Sequence, residues 1–152
     1  RDMIWTDERK TTAQAVLDVW QGTPHINRVA IPGIGIDCIR LVMEVLTNAG
    51  IVERRELGAY DVQAGTHSVS RKLAAEINRC LFVESVSVAS PEFGDLAVFK
   101  TGTRSGHIGF VTDGYVWHSL AGRCVTRSPF ALWNREIEFL FRFTDTGWKA
   151  EP

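Results

Sequence analysis

Cysteine is scarce and odd in number: three in 152 residues, at Cys38, Cys80 and Cys124. That count excludes a disulfide framework and suits a reducing compartment, or a particle assembled in one. No apolar run reaches the ~18 residues of a membrane-spanning helix, so membrane insertion is not expected. The opening RDMIWTDERK has no apolar h-region, so no signal peptide is expected. An excess of either charge is also missing, the formal net charge being −1. Nucleic acid, which calls for a basic stripe, is therefore not an expected partner. Internal repeats and low-complexity segments are absent, which excludes solenoids and linker-rich chains.

What is present fits one globular domain over residues 1–152. Apolar residues make up 45% and charged residues 23%, enough to bury a core without staples. The spacing of Ala13, Val16, Leu17 and Trp20 predicts a helix from about Thr6 to Trp20, with Asp7 and Glu8 in its first turn. Gly22 and Pro24 end it, and a loop punctuated by Pro32, Gly33 and Gly35 follows. A second helix is expected from near Asp37 to about Ala49, with Gly50 just past its end. Its apolar face is Cys38, Leu41, Val42, Val45, Leu46 and Ala49. After a polar loop over 52–66, a third helix is expected near 70–81, built on Leu73, Ala74, Ile77 and Leu81.

The remainder reads as strands: 95–100, 107–112, 115–120, 124–128 and 137–144. Asp113-Gly114 between apolar strands is a two-residue hairpin signal. Helices first and strands after them predict an α+β domain, N-terminal helices packed on a central antiparallel sheet.

A nucleophilic cysteine needs thiolate character, which a helix N-terminus and a nearby imidazole both favour. Cys38 has the first by its place at the start of the second helix. Its own N–H is one of the donors that a helix leaves unpaired, and so serves as half of an oxyanion hole. The base must come from the sheet. A two-residue turn at Asp113-Gly114 sets Thr112 against Tyr115, Phe110 against Trp117 and Gly109 against His118. His107 and His118 then share one face as diagonal neighbours, ~7–8 Å apart at the backbone. Gly109 places no side chain between them. One imidazole can act as base and the other can orient it. A slip of one residue in the register would turn His118 away.

Each residue also has a plainer role. Cys38 can be a small buried residue, as free cysteines usually are. His107 and His118 can be satisfied strand histidines. The three together have the donor types of a zinc site, although their spacing fits no zinc module. Asp37 can cap the helix, touch substrate, or do both. Cys80 and Cys124 read as packing residues, as do Trp5, Trp133 and Trp148, and His67 as a loop residue.

The segment WQGTPHINRVAIPGIGIDCIRLVMEVLTNAG resembles the nucleophile segment of the NlpC-type cell-wall peptidases, a papain-like family. Its G-T-P and G-x-G-x-D-C look like the phage-tail branch in particular. The segment GDLAVFKTGTRSGHIGFVTDGYVWHSL is similar to that family's G-D-L, H-apolar-G and H-S/A stretches. The resemblance runs in order from Trp20 to Leu120, with SPFALWNREIEF fitting the phage branch more weakly.

The resemblance implies a papain-like α+β fold and hydrolysis of an amide bond in the stem peptides of bacterial peptidoglycan, with no metal or cofactor. It makes Cys38 the nucleophile, His107 the base, His118 the third polar residue and Asp37 the acidic neighbour. Tail-tip proteins are the implied partners, and the implied location is the host cytoplasm during assembly and then the virion tail. Two departures stand out. Ile39-Arg40 follows the cysteine where the family has Ser-Gly, and His25 stands where it has an aromatic, often Tyr. His25 is then loop filler or a donor to the oxyanion; Arg40 is a solvated surface residue or a receptor for a substrate carboxylate. A structural tail-tip protein of little activity, and an amidase or acyltransferase on the same fold, are the rival readings.

Overall fold

The computed structural model describes residues 3–57, 69–103 and 106–152. Helix α1 (Asp7–Trp20) opens on Thr6, whose hydroxyl accepts from the Arg9 N–H at 3.2 Å, and buries Ala13, Leu17 and Trp20. Two-residue strands β1 (Ala30–Ile31) and β2 (Gly35–Ile36) then pair antiparallel. Pro32-Gly33 turns between them: Ile34 N–H donates to Ile31 O at 3.0 Å, and Gly33 has φ +77°. Proline then glycine at positive φ is the signature of a type II turn. The sequence predicts only a loop here, because strands this short carry no readable alternation.

Helix α2 (Cys38–Asn48) has Asp37 as its cap and buries Cys38, Leu41, Val42, Val45 and Leu46, the face that the periodicity predicts. Leu41, Val45 and Leu46 have no exposed surface. Burial on that scale contributes about 1.5–3 kcal/mol for each such side chain. Helix α3 (Val69–Cys80) runs straight into strand β3 (Leu81–Val86). Strands β4 (Leu96–Thr103), β5 (Gly106–Thr112), β6 (Tyr115–Ser119) and β7 (Val125–Pro129) follow. A short helix α4 (Phe130–Trp133), a 3-10 turn (Asn134–Glu136) and the long strand β8 (Ile137–Trp148) complete the chain. His67 and most of the polar loop of 52–66 lie outside the described residues.

The large sheet has the order β3-β8-β4-β5-β6-β7, every pair antiparallel. This is the α+β arrangement expected from the sequence. The helices cover one face, where Leu96, Val98, Ile108, Phe110, Trp117 and Phe141 join their apolar residues. A second cluster fills the other face, with Phe99, Val111, Val116, Phe130, Ile137 and Leu140. The β5–β6 register is the one that the hairpin signal predicts: Phe110 opposite Trp117, Val111 opposite Val116 and Thr112 opposite Tyr115.

Candidate active site

The approach to Cys38 is fixed by backbone bonds to the far end of the sheet. Gly22 N–H donates to Val125 O at 2.9 Å, Val125 N–H to Thr23 O at 2.8 Å, and His25 N–H to Arg123 O at 2.9 Å. Ile36 N–H then donates to Pro24 O at 3.0 Å. The Ser119 hydroxyl, at the end of β6, donates to Ile36 O at 2.7 Å. These bonds place the start of α2 against β6, so Cys38 takes its position from the sheet as well as from its helix.

Asp37 holds the same junction from the other side. Its Oδ1 accepts from the Arg40 N–H at 2.8 Å, the capping bond of α2. Its Oδ2 accepts from the Arg28 N–H at 2.8 Å and from Arg40 Nη1 at 2.7 Å. Arg28 has φ +63°, a conformation that costs a side-chain-bearing residue roughly 1–2 kcal/mol. The bond to Asp37 helps offset that cost.

On β5 and β6 the two imidazoles are in direct contact. His107 Nε2 and His118 Nδ1 lie 2.8 Å apart. His118 Nε2 lies 2.9 Å from the Ser128 hydroxyl on β7. Gly109 leaves room for the packing beside the rings: a Cβ there would come within 2.6 Å of the Val116 side chain and 3.3 Å of the Phe99 ring. The Phe99 ring stacks on His118 at 5.4 Å between centroids and lies 4.6 Å from His107. Trp133 meets His118 edge-on at 4.9 Å. The rings therefore belong to the sheet face away from α2.

Cys38 Sγ lies against the backbone of β5 on either side of His107. It donates to Gly106 O at 3.9 Å, a weak thiol bond, and the N–H of Ile108 points at the sulfur. The thiol makes this bond with Gly106 rather than with the His107 ring.

The electrostatics of the two halves follow from burial. Cys38 is 4% exposed, and desolvation pushes its thiol up to about 12. Asp37 raises it further; the N–H groups of Ile108, Ile39 and Cys38 act the other way and do not prevail. The expectation of a thiolate at the helix N-terminus is thus corrected: removal from water outweighs the helix end. Burial drops His107 to about 3, assisted by His118 and then by His25, and drops His118 to about 4. At neutral pH the site holds a thiol and two neutral imidazoles.

His25 is brought to the same place. Its Nδ1 lies 2.9 Å from Ser119 Oγ and 3.2 Å from Ser119 O, and its Nε2 lies 3.3 Å from Asn27 Oδ1. Since the Ser119 proton is committed to Ile36 O, His25 Nδ1 is the donor in that contact. Arg40 is tied to Asp37, which accounts for its guanidinium without a ligand. Among the described residues, no group of three or more His, Cys, Asp or Glu is placed to hold a metal ion.

Sequence reasoning misses Ser128, Ser119, Phe99 and Trp133 as parts of the site. Ser128 follows from the β6–β7 register, in which it faces Val116, the residue two before His118. No local motif announces that register; the Pro24–Cys124 bridge and the bonds of residues 22–25 set it.

No family model matches the chain, and no curated protein matches it in sequence. Among solved structures it is similar to a protein described as similar to lipoprotein, NLP/P60 family, from Staphylococcus aureus subsp. aureus Mu50. The TM-score is 0.61 at 19% identity, over 91% of this chain and 42% of that one. The chain thus has the fold of the NLP/P60 proteins and spans less than half the length of that neighbour.

Proposed function

We propose that the protein is a cysteine peptidase that cleaves an amide bond in peptidoglycan stem peptides. The observation that carries this reading is the imidazole pair, His107 Nε2 to His118 Nδ1 at 2.8 Å, with His107 on the strand whose backbone bonds the Cys38 sulfur. The NLP/P60 fold supports a cell-wall substrate.

This mechanism requires a rearrangement, because the His107 ring packs with Phe99 and His118 on the sheet face away from α2 while the Cys38 thiol bonds to Gly106 O: substrate binding has to bring sulfur and ring together. The Cys38 proton then passes to Nδ1 of His107, and the thiolate forms a bond to the substrate carbonyl carbon. The carbonyl π pair moves onto oxygen, where the Cys38 N–H receives it. The intermediate collapses and the C–N bond breaks. The amine leaves with the proton held by His107. Water, deprotonated by His107, then attacks the thioester; its proton returns to the sulfur and the acid is released. His118 orients His107 throughout. No step calls for a metal or cofactor.

The G-T-P and G-x-G-x-D-C motifs support a place in a phage tail tip, assembled in the host cytoplasm and carried in the virion, with tail proteins as partners. The test is digestion of purified peptidoglycan, read by mass spectrometry of the released peptides. Wild-type protein is expected to release stem-peptide fragments and Cys38→Ala none. Equal rates from the two would end the proposal, and release of a different bond's products would move it to an amidase or acyltransferase.

A second reading has its own observation. The thiol is buried, neutral and bonded to Gly106 O. A structural tail component with a dormant site would look like this. Intact peptidoglycan after exposure to wild-type protein, together with co-purification of tail proteins, would favour it.

A further inference from the structure

The imidazole string does not end at His118. Its Nε2 lies 2.9 Å from Ser128 Oγ, and Ser128 is 5% exposed. Val116 faces Ser128 across the β6–β7 pair, and His118 is two residues from Val116, so all three share one face of the sheet. That face is filled by Phe99, Val111, Val116, Phe130 and Leu140. A hydroxyl in such surroundings is there for a partner, since a polar group buried without one loses its bonds to water and gains none in return.

Two proton arrangements fit the distances. In one, Ser128 donates to His118 Nε2, His118 Nδ1–H donates to His107 Nε2, and His107 carries its proton on Nδ1. That ring has no lone pair to offer a thiol there. In the other, every bond runs the opposite way: His107 Nε2–H donates to His118 Nδ1, and His118 Nε2–H donates to Ser128 Oγ. His107 Nδ1 is then a free base. Histidine chooses its tautomer by the partner of the other nitrogen.

We propose that Ser128 is a positioning residue: its oxygen accepts from His118 Nε2–H and so sets the tautomer of both rings, leaving His107 Nδ1 unprotonated for Cys38. The inference rests on the hydrolase reading for its purpose, although the tautomers can be read without substrate. The step involves no net transfer; it fixes where two protons already present reside.

The experiment is nitrogen-15 NMR of histidine-labelled protein at pH 7, with His107→Gln and His118→Gln used for assignment. Wild type is expected to show both rings protonated at Nε2. Ser128→Ala removes the acceptor and is expected to give a tautomer mixture at both rings, with kcat down about 10-fold out of the ~10²–10⁴-fold that a general base supplies. KM should stay unchanged, and Ser128→Thr should restore both readouts. Nδ1–H tautomers in wild type would overturn the proposal, and so would tautomers that Ser128→Ala leaves unmoved. Should Ser128→Ala not fold, the wild-type tautomers and the Ser128→Thr protein decide alone. Failure of wild-type protein to cut peptidoglycan would count against the hydrolase reading, while an acceptor-dependent Nε2–H pair would still establish the role of Ser128.

Discussion

The two halves of the proposed site, the imidazole pair as base and Cys38 as nucleophile, are built by different means. The base half is a product of strand pairing: the β5–β6 register aligns His107 with His118, and the β6–β7 register brings up Ser128. Ladder bonds fix it, and Phe99 and Trp133 pack on it. The nucleophile half is a product of a loop and a helix end. Its sulfur is aimed at a backbone carbonyl, and its thiol is neutral. The same removal from water acts on both halves. It keeps the imidazoles unprotonated, which suits a base, and it keeps the thiol protonated, which does not suit a nucleophile. Pre-organisation and activation are therefore separate achievements here.

The sharpest way to break that comparison is the reactivity of Cys38 in the free protein. A thiol moved from 9.0 to about 12 holds roughly 1000-fold less thiolate at neutral pH than an ordinary one. Iodoacetamide should modify the more exposed Cys124 well ahead of Cys38 at pH 7, and the Cys38 rate should climb only in alkali. His107→Ala should leave the Cys38 rate where it was. Fast labelling of Cys38 at pH 6 that disappears in His107→Ala would mean that a thiolate–imidazolium pair already exists, and the two halves would then be one unit.

The base half was legible in the sequence because its determinants are local and periodic. Asp113-Gly114 sets the turn, the turn sets the register, and the register places His118 diagonal to His107. The three helices and the cap at Asp37 were legible for the same reason. Strand β3 was not: α3 ends at Cys80 and β3 starts at Leu81, with no glycine or proline between them to mark the change. Ser128 was hidden because its register is set by the distant segment 22–25. The state of the thiol was hidden because two opposing effects act on it, and only the packed structure shows that burial exceeds the helix end. Nor did the residues of β5 announce that Gly106 O would accept the thiol's hydrogen bond.

A smaller effect sharpens the claim that burial governs the imidazoles. Both rings are depressed in the folded protein, to about 3 and about 4, against about 6.5 when unfolded. Between those values the unfolded chain binds more protons than the native one, so stability rises with pH. It should be complete above about pH 6.5 and fall as the pH drops toward 4, by at most ~1.4 kcal/mol per pH unit for each ring. Urea midpoints measured from pH 7 to pH 4 should therefore decline, and His118→Gln should flatten the decline. A wild-type midpoint that does not move over this range would show the rings to be solvated, and the base half would lose its distinction from the nucleophile half.

The smallest effects belong to Asp37 and Arg40, where the nucleophile half is tied down. Asp37→Ala removes the cap of α2 together with the bond to Arg28 N–H, and should cost about 1 kcal/mol, within the ~0.5–2 kcal/mol range of such caps. Asp37→Asn keeps one acceptor oxygen for the capping bond from Arg40 N–H and loses the bond from Arg28 N–H together with the charge pair with Arg40. That pair is partly exposed, at 24% and 11%, so its own share of the loss should be under ~1 kcal/mol. The same variant removes a negative charge that raises the Cys38 thiol, so iodoacetamide should modify Cys38 faster in Asp37→Asn than in wild type. Arg40→Gln completes the set. Its guanidinium is bound to Asp37, so KM for a stem peptide should stay near that of wild type while the thermal midpoint drops slightly. A KM that rises several-fold at an unchanged midpoint would mean that the arginine leaves Asp37 for a substrate carboxylate. The loop before the nucleophile would then rearrange on binding, and that same movement would be the natural means of turning the sulfur from Gly106 to His107.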